Sequence, residues 1–282
     1  MIWRASSFSL ELKARTLIMG IVNVTPDSFS GDGVLARYPK EKVSGFSYAL
    51  KLVDDGADIL DIGGESSRPG AKMLSVQEEA SRVVPLIAAL VRRVKVPVSV
   101  DTYKPQVAHQ ALEAGASIVN LIKGPSADVV LLKEVAAAGA GLVLMHMRGT
   151  SRTMQMRTQY RDVVLEVKAE LKKALENCRK CGIKKENIVV DPGIGFAKTL
   201  DQNLALLRRL NDFSSLGYPI LLGTSRKSFI GKVLGLDVDD RLMGTAATVA
   251  LGVASGAAIV RVHDVKAMKQ VVMMADAVIN RA

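Results

Sequence analysis

The sequence predicts an α/β protein built as a single (β/α)8 TIM barrel, with a short N-terminal β extension. Three observations carry this. Eight short apolar runs, rich in β-branched residues, recur along the 282-residue chain. Continuous runs of this kind suit parallel strands buried on both faces. Each run is followed by a longer amphipathic segment, and no linker or composition break divides the chain. About 250 residues is typical of the closed barrel, which leaves roughly 30 for additions. A doubly wound open sheet is the alternative; the count of eight and the polar strand ends described below favour closure.

The first 16 residues alternate polar and apolar and are assigned to an extension covering the barrel floor, with residues 17–282 forming the barrel. The strand runs are "LIMGIVNV" (17–24), "ADILDIG" (57–63), "VPVSVD" (96–101), "ASIVNLI" (116–122), "GLVLMHM" (141–147), "NIVVDPG" (187–193), "YPILLGT" (218–224) and "AAIVRVHD" (257–264). The segments between them predict helices over 40–55, 75–93, 104–114, 126–139, 160–181, 199–211, 238–254 and 264–280. Ser75 with Glu78 three residues later spells a capping box. Pro105 stands near a helix start, and Gly115, Gly139 and Gly182 follow helix ends.

Composition narrows the function classes. Apolar residues make up 49% and charged residues 23%, as in ordinary globular proteins, while aromatics are only 4%, so the core is aliphatic. The net charge of +10 is spread along the whole chain. Its densest stretch, Lys168 to Lys185, lies among Glu166, Glu170 and Glu176, which reads as a solvated helix face rather than a nucleic-acid surface. A basic shell also suits an anionic substrate. Cys178 and Cys181 cannot make a disulfide framework, and their C-R-K-C closes a helix where a redox motif would open one. No apolar signal region or membrane-length run is present, so the expectation is a cytoplasmic protein without membrane or nucleic-acid partners.

In such a barrel the active site lies at the C-terminal ends of the strands. Here those ends carry, in order, Asn23, Asp61 with Glu65, Asp101, Asn120, Met145 with His146, Asp191, then Ser225, Arg226 and Lys227, and finally Arg261 with His263. Asp101, Asn120 and Asp191 offer acceptors and one amide, which suit a flat heterocycle bearing amino and ring N–H groups. Lys227 is a point donor for an oxo group or ring nitrogen; a Schiff-base role is weakened by the lack of an acid beside it in sequence. Arg261 and His263 are two apart on a strand and, with Arg68, predict a cationic corner for phosphate or pyrophosphate. The structural alternatives are a pairing of Arg261 with Asp61 and an N-cap role for His263.

Two rim loops, "TPDSFSGDGVLARYPK" (25–40) and "GGESSRPGAKMLS" (63–75), have the composition of lids. "VVDPGIGFAKT" (189–199) superficially resembles a dinucleotide loop. Its sixth motif position is Lys198 instead of glycine, and its strand is the sixth of eight, so the glycines are read as giving close backbone approach, with Asp191 as the working group.

The blocks "GIVNVTPDSFS", "DIGGESSRPGA", "VSVDTYKP", "VDPGIGF", "GTSRKSFIG" and "RVHDV", in order at strand ends, resemble the dihydropteroate synthase family over residues 17–280. The resemblance implies a transferase that joins 6-hydroxymethyl-7,8-dihydropterin pyrophosphate to 4-aminobenzoate with Mg2+, giving 7,8-dihydropteroate and pyrophosphate. By motif position it implies that Asp101, Asn120, Asp191 and Lys227 hold the pterin, with Met145 and Phe196 beside it. Asn23, Arg261 and His263 would bind pyrophosphate and its metal, Asn23 as the metal ligand. Ser67, Arg68, Pro69 and Ser225 would form the aminobenzoate end. Asp101, Asp191, Lys227 and Arg261 would carry the catalytic step. A homodimer and sensitivity to sulfonamides, which mimic the second substrate, are implied as well. The chain departs from the family pattern after Asn120, where Leu121 replaces an expected aspartate. A pterin-binding paralogue with altered activity, and a methyltransferase passing a methyl group from a folate to a corrinoid protein, are the alternatives on the same barrel.

Overall fold

The computed structural model describes residues 1–25, 45–66, 70–71 and 73–280. The first rim loop beyond Thr25, the start of the first predicted helix, and Ser67, Arg68 and Pro69 of the second loop lie outside the described residues. The chain opens with an antiparallel hairpin of β1 (Ile2–Ala5) and β2 (Phe8–Glu11). Then come β3 (Leu17–Asn23), α1 (Phe46–Asp54), β4 (Ile59–Gly63), α2 (Val76–Leu90), β5 (Val98–Asp101), α3 (Pro105–Glu113) and β6 (Ile118–Leu121). They are followed by α4 (Val129–Ala137), β7 (Gly141–Met145), α5 (Val163–Lys180), β8 (Ile188–Asp191), α6 (Leu200–Arg208) and β9 (Ile220–Leu222). The chain ends with α7 (Ser228–Leu234), α8 (Leu242–Ala254), β10 (Ala257–Val262) and α9 (Val265–Val278). Strands β3 to β10 are parallel and close into a barrel, β10 pairing with both β3 and β9. The closed (β/α)8 barrel and its β extension are as the sequence predicts.

Period-two alternation sorts the strand residues. Ile18, Val22, Leu60, Ile62, Val100, Val119, Leu142, Leu144, Val190 and Leu222 face outward into the core between sheet and helices. The alternate residues Leu17, Met19, Ile59, Ile118, Val143, Val189, Leu221 and Ile259 fill the lower barrel interior. Trp3, fully buried, belongs to this inner cluster and donates its indole N–H to Asn187 O at 2.9 Å. The hairpin therefore plugs the floor. Gly141 makes room for it: a Cβ there would sit 3.0 Å from Ala5 Cβ and 3.1 Å from Trp3 Cζ2.

Helix signals are realised locally. Ser75 and Glu78 form the capping box, Thr199 and Gln202 form another, and Asp162 caps α5 by accepting from Val164 N and Leu165 N. Pro105 opens α3, and Gly115, Gly139 and Gly182 have positive φ after helix ends. The sequence reading missed α7. Its seven residues, followed by Gly235 in the left-handed region, are too few to show helical periodicity. Cys178 is buried with its thiol pushed up to about 12 by burial, and both cysteines are free.

Candidate active site

The alternation that fills the barrel floor also builds the mouth. Moving two residues up each inward-facing row leads from Ile59 to Asp61, Ser99 to Asp101, Ile118 to Asn120, Val143 to Met145, Val189 to Asp191 and Ile259 to Arg261. The strands thus deliver a ring of functional groups above an aliphatic plug. Asn23 ends β3 in the same inward row.

Arg261 knits one side of this ring. It donates Nε–H to Asp61 Oδ2 at 2.6 Å and an Nη2 proton to Asp101 Oδ2 at 2.9 Å. Asn120 donates its amide to the same Asp61 oxygen at 2.9 Å. Asp61 is fully buried, and among the described residues its Oδ1 has no hydrogen-bond partner. Burial would lower the Arg261 pKa, but Asp61 and Asp101 outweigh it and hold the guanidinium charged. Burial pushes the Asp101 carboxyl up to about 7; Arg261 pulls against that, while Asp61 adds to it. The pairing of Arg261 with Asp61 foreseen as an alternative is therefore present, and Arg261 also reaches Asp101.

The opposite side joins Asp191 to Lys227. A Cβ placed on Gly223 would lie 3.8 Å from Lys227 Nζ, 3.9 Å from Arg261 Cβ and 4.0 Å from Asp191 Oδ2, so the three side chains converge on one spot. Burial lowers Lys227 to about 8 against the pull of Asp191. Burial raises the Asp191 pKa, opposed first by Lys227. Asp191 Oδ1 accepts from Gly193 N at 2.7 Å. The Lys227 ammonium donates to Ile194 O and lies 4.5 Å from the Phe196 ring centroid. Arg226, with φ 54, turns the chain here and locks it through a bidentate pair with Asp264 at 2.8 and 2.6 Å. That turn aims Lys227 at the mouth.

Met145 and Phe196 lie in one apolar cluster with Ile122, Met147 and Met154, an apolar wall beside the polar ring. Ser225 Oγ sits 2.9 Å from His263 Nδ1 and accepts from His263 N at 3.1 Å, joining the seventh and eighth strand ends. His263 lies just beyond β10, which ends at Val262.

Two polar strand-end residues turn away from the mouth. His146 is fully buried against α5, 3.0 Å from Glu170 Oε2, and burial lowers it to about 4. Glu65 takes the Tyr103 hydroxyl at 2.8 Å, Lys104 Nζ at 2.5 Å and Leu74 N at 2.8 Å, bracing the base of the second loop. Leu121, in place of the expected aspartate, is buried in the outward core. The departure from the family pattern thus falls outside the mouth. Sequence reading foresaw Arg261 beside Asp61 but missed the second contact of Asp61, with Asn120, and Ile122 in the apolar wall.

The sequence profile described as "pterin binding enzyme" matches residues 19–263. A dihydropteroate synthase of Bacillus subtilis is 46% identical over 273 residues, covering 97% of this chain and 92% of the relative. The chain belongs to the dihydropteroate synthase family. Among solved structures of that family, a Yersinia pestis dihydropteroate synthase in a sulfonamide complex superposes with a TM-score of 0.93 at 37% identity, over 99% of this chain and 100% of the other. A Clostridium difficile member in the presence of pteroic acid gives 0.86 at 44% identity over 95% and 98%. A Thermus thermophilus member in complex with 4-aminobenzoate gives 0.87 at 37% over 98% and 99%.

Proposed function

We propose that the chain is a dihydropteroate synthase, a transferase that condenses 6-hydroxymethyl-7,8-dihydropterin pyrophosphate with 4-aminobenzoate. The observation that carries this is the cluster of Asp101, Asn120, Asp191, Lys227 and Arg261 at the barrel mouth, beside the Met145 and Phe196 wall. The carboxylates and amide match the amino and ring N–H groups of a pterin. Lys227 matches its oxo group or a ring nitrogen, and the apolar wall its flat face. The family relation adds the second substrate: its Thermus thermophilus member was solved with 4-aminobenzoate and its Clostridium difficile member with pteroic acid.

The reaction breaks the C–O bond between the pterin methylene and pyrophosphate, and the bonding pair leaves on oxygen. The pterin ring delocalises the positive charge left on carbon. Asp101 and Asp191 stabilise the electron-poor ring, while Arg261 and His263 receive the growing charge of the leaving group. The amine of 4-aminobenzoate then forms the new C–N bond and loses a proton, so no protein nucleophile is needed. Ser67, Arg68, Pro69 and Ser225 hold the aminobenzoate in this reading, and the two rim loops exclude water that would capture the cation.

A divalent ion fits the mouth near Asn23. Gly63 has no side chain, and a Cβ there would lie 3.4 Å from Asn23 Oδ1 and 3.9 Å from Asp101 Oδ2, so two hard oxygen donors border the same space. Mg2+ keeps most of its shell as water and phosphate oxygen, so it asks for few protein ligands. When bound there it would neutralise the departing pyrophosphate, with Asn23 as the protein ligand.

A homodimer is proposed across α8 and α9, where Met243, Leu251, Met273, Met274 and Val278 are each at least 60% exposed. Sedimentation equilibrium tests it, a monomer at micromolar concentration counting against. A cytoplasmic location is proposed from the two free cysteines, and no helix among the described residues is long and apolar enough to cross a membrane. The function itself is tested by pyrophosphate release from purified protein given both substrates, with and without Mg2+. Turnover that needs both substrates is expected; none under any metal condition would overturn the reading.

A further inference from the structure

The loop after β8 carries two groups of the proposed pterin subsite, Asp191 at its start and Phe196 near its end. Gly193 and Gly195 hold φ of 70 and 87, and a Cβ on Gly193 would lie 1.9 Å from His146 O. A loop so bent turns its carbonyls inward, where water cannot satisfy them. Lysines satisfy three of them. Lys227 takes Ile194 O. Lys198 Nζ donates to Gly193 O at 3.0 Å and to Phe196 O at 2.9 Å. Its third partner is His146 Nδ1 at 3.1 Å.

An ammonium has three donors and no acceptor, and here all three are used. His146 Nδ1 must then accept, so its Nε2–H donates to Glu170 Oε2 at 3.0 Å, and Arg148 Nε in turn donates to Glu170 at 2.9 Å. The backbone repeats the connection: His146 N donates to Asp191 O at 2.9 Å. A chain of contacts therefore runs from α5 through His146 to Lys198 and into the loop. Lys198 is 4% exposed. Burying an ammonium costs far more than burying a methionine of similar length, so packing alone does not account for a lysine here.

We propose that Lys198 is a positioning residue for the pterin subsite, its buried ammonium fixing Gly193 and Phe196 so that the Phe196 ring and the Asp191 carboxylate meet the pterin in register. This rests on the pterin reading above. The hydrogen bonds of the Lys198 ammonium lie on this loop and on His146, and among the described residues none reaches Ser225 at the proposed aminobenzoate end. Its loss should therefore act on one substrate and spare the other.

The charge of Lys198 is finely held. Burial lowers it to about 7; Asp191 and Glu170 support the charged form, while Lys227 and Arg148 oppose it. His146, lowered to about 4, stays neutral at physiological pH. Raising the pH through neutrality removes one of the three donors and loosens the loop.

The test compares wild type with Lys198→Met, which keeps length without donors, and Lys198→Gln, which keeps one amide. Steady-state kinetics are measured for each substrate from pH 6 to 9. Lys198→Met should raise KM for the pterin pyrophosphate about tenfold or more, the size of a lost charged hydrogen bond, and change KM for 4-aminobenzoate less than about twofold. Lys198→Gln should fall between. Wild type should show a rise of pterin KM above neutral pH, and Lys198→Met should show less of it. Equal effects on both KM values, or an unchanged pterin KM in a folded variant, would overturn the proposal. If neither variant folds, Lys198 is a residue of stability and the proposal also falls. A wild type that turns over neither substrate would remove the functional reading itself, whereas an active wild type with no split removes only this assignment.

Discussion

Arg261→Ala probes the ring of the mouth at its most connected point. The guanidinium bonds Asp61 at 2.6 Å and Asp101 at 2.9 Å, and these side chains are 0% and 13% exposed. Removing it leaves Asp61 with the Asn120 amide on one oxygen and nothing on the other among the described residues. Stripping one partner from a buried ion pair costs about 3–5 kcal/mol. The same change acts on chemistry. Asp101 titrates at about 7 with Arg261 pulling it down, so without that charge its pKa rises and it becomes largely protonated at neutral pH. In the proposed reading an acceptor for the pterin is lost together with a cation for the leaving group, and turnover should fall by about 10²–10³. The pH dependence has a defined sign. A carboxyl whose folded pKa exceeds its unfolded value holds more protons folded than unfolded, so its contribution to stability declines as pH rises through that interval. The interval starts near the unfolded value of 3.8 and ends near 7 in wild type. It extends further upward in the variant, so the variant's deficit in urea unfolding should be larger at pH 8 than at pH 6. Pyrophosphate release gives the rate, and Lys173→Ala on the exposed face of α5 is the control. Turnover within about threefold of wild type, under about 1 kcal/mol of barrier, would refute the reasoning.

The cationic route predicts that 18O in the bridging position of the pterin pyrophosphate migrates to non-bridging α-phosphate positions in recovered substrate; its absence while C–O cleavage is reversible counts against that route. Gly193→Ala forces a Cβ to 1.9 Å from His146 O at a φ of 70, so the thermal midpoint should drop and pterin affinity should weaken; an unchanged midpoint would show that the loop relaxes freely. Burial and Lys198 lower His146 to about 4 from 6.5, so the unfolded chain takes up a proton that the folded one refuses. Stability should therefore decline as pH falls from about 6.5 to 4, by ~3 kcal/mol over the full window, and His146→Gln should flatten that slope in urea titrations. Trp3→Ala empties the barrel floor and should cost about 3–5 kcal/mol, while kcat of the folded fraction stays near wild type because the change lies at the opposite end from the mouth.

The barrel and most of its mouth were legible because strands impose a strict alternation. Once a run such as "ADILDIG" is taken as a strand, the partner of an inward Ile59 two residues on must also point inward, and that residue is Asp61. Asp101, Asn120, Met145, Asp191 and Arg261 were read simply as strand ends, and the same alternation explains why all of them face the mouth. Where a side chain's tip travels is not encoded by alternation. His146 follows Met145 directly and so faces the helices, although both were grouped as one strand end. Lys198 was read only as a mismatch to a glycine motif; its flexible stem carries the ammonium back to Gly193 O, a destination that depends on the turn between. Glu65 stands two residues past the strand end, where parity no longer applies, and Lys104 and Tyr103 capture it. The seven residues of α7 were too few to show a period.

The mouth sets two opposite demands side by side. A pterin calls for acceptors and a pyrophosphate for cations, and a buried surplus of either sign is costly. Arg261 meets Asp61 and Asp101, and Lys227 faces Asp191, so each carboxylate proposed for the ring is matched by a cation proposed for the phosphates or the oxo group. The match is incomplete, since Asp101 is pushed up to about 7 and Lys227 lowered to about 8. Groups held this close to neutrality respond to the charge of a bound ligand. A pyrophosphate entering beside Arg261 would compete with Asp101 for the guanidinium and drive that carboxyl towards its protonated form. As the C–O bond breaks, the extra negative charge of the leaving group strengthens its hold on Arg261, while the positive charge developing on the ring favours the ionised form of Asp101. The ion pair between Arg261 and Asp101 thereby links the two ends of the reacting bond, and an Asp101→Asn variant, which cannot recharge, should lose kcat more than it loses pterin affinity; a loss confined to affinity would break that link.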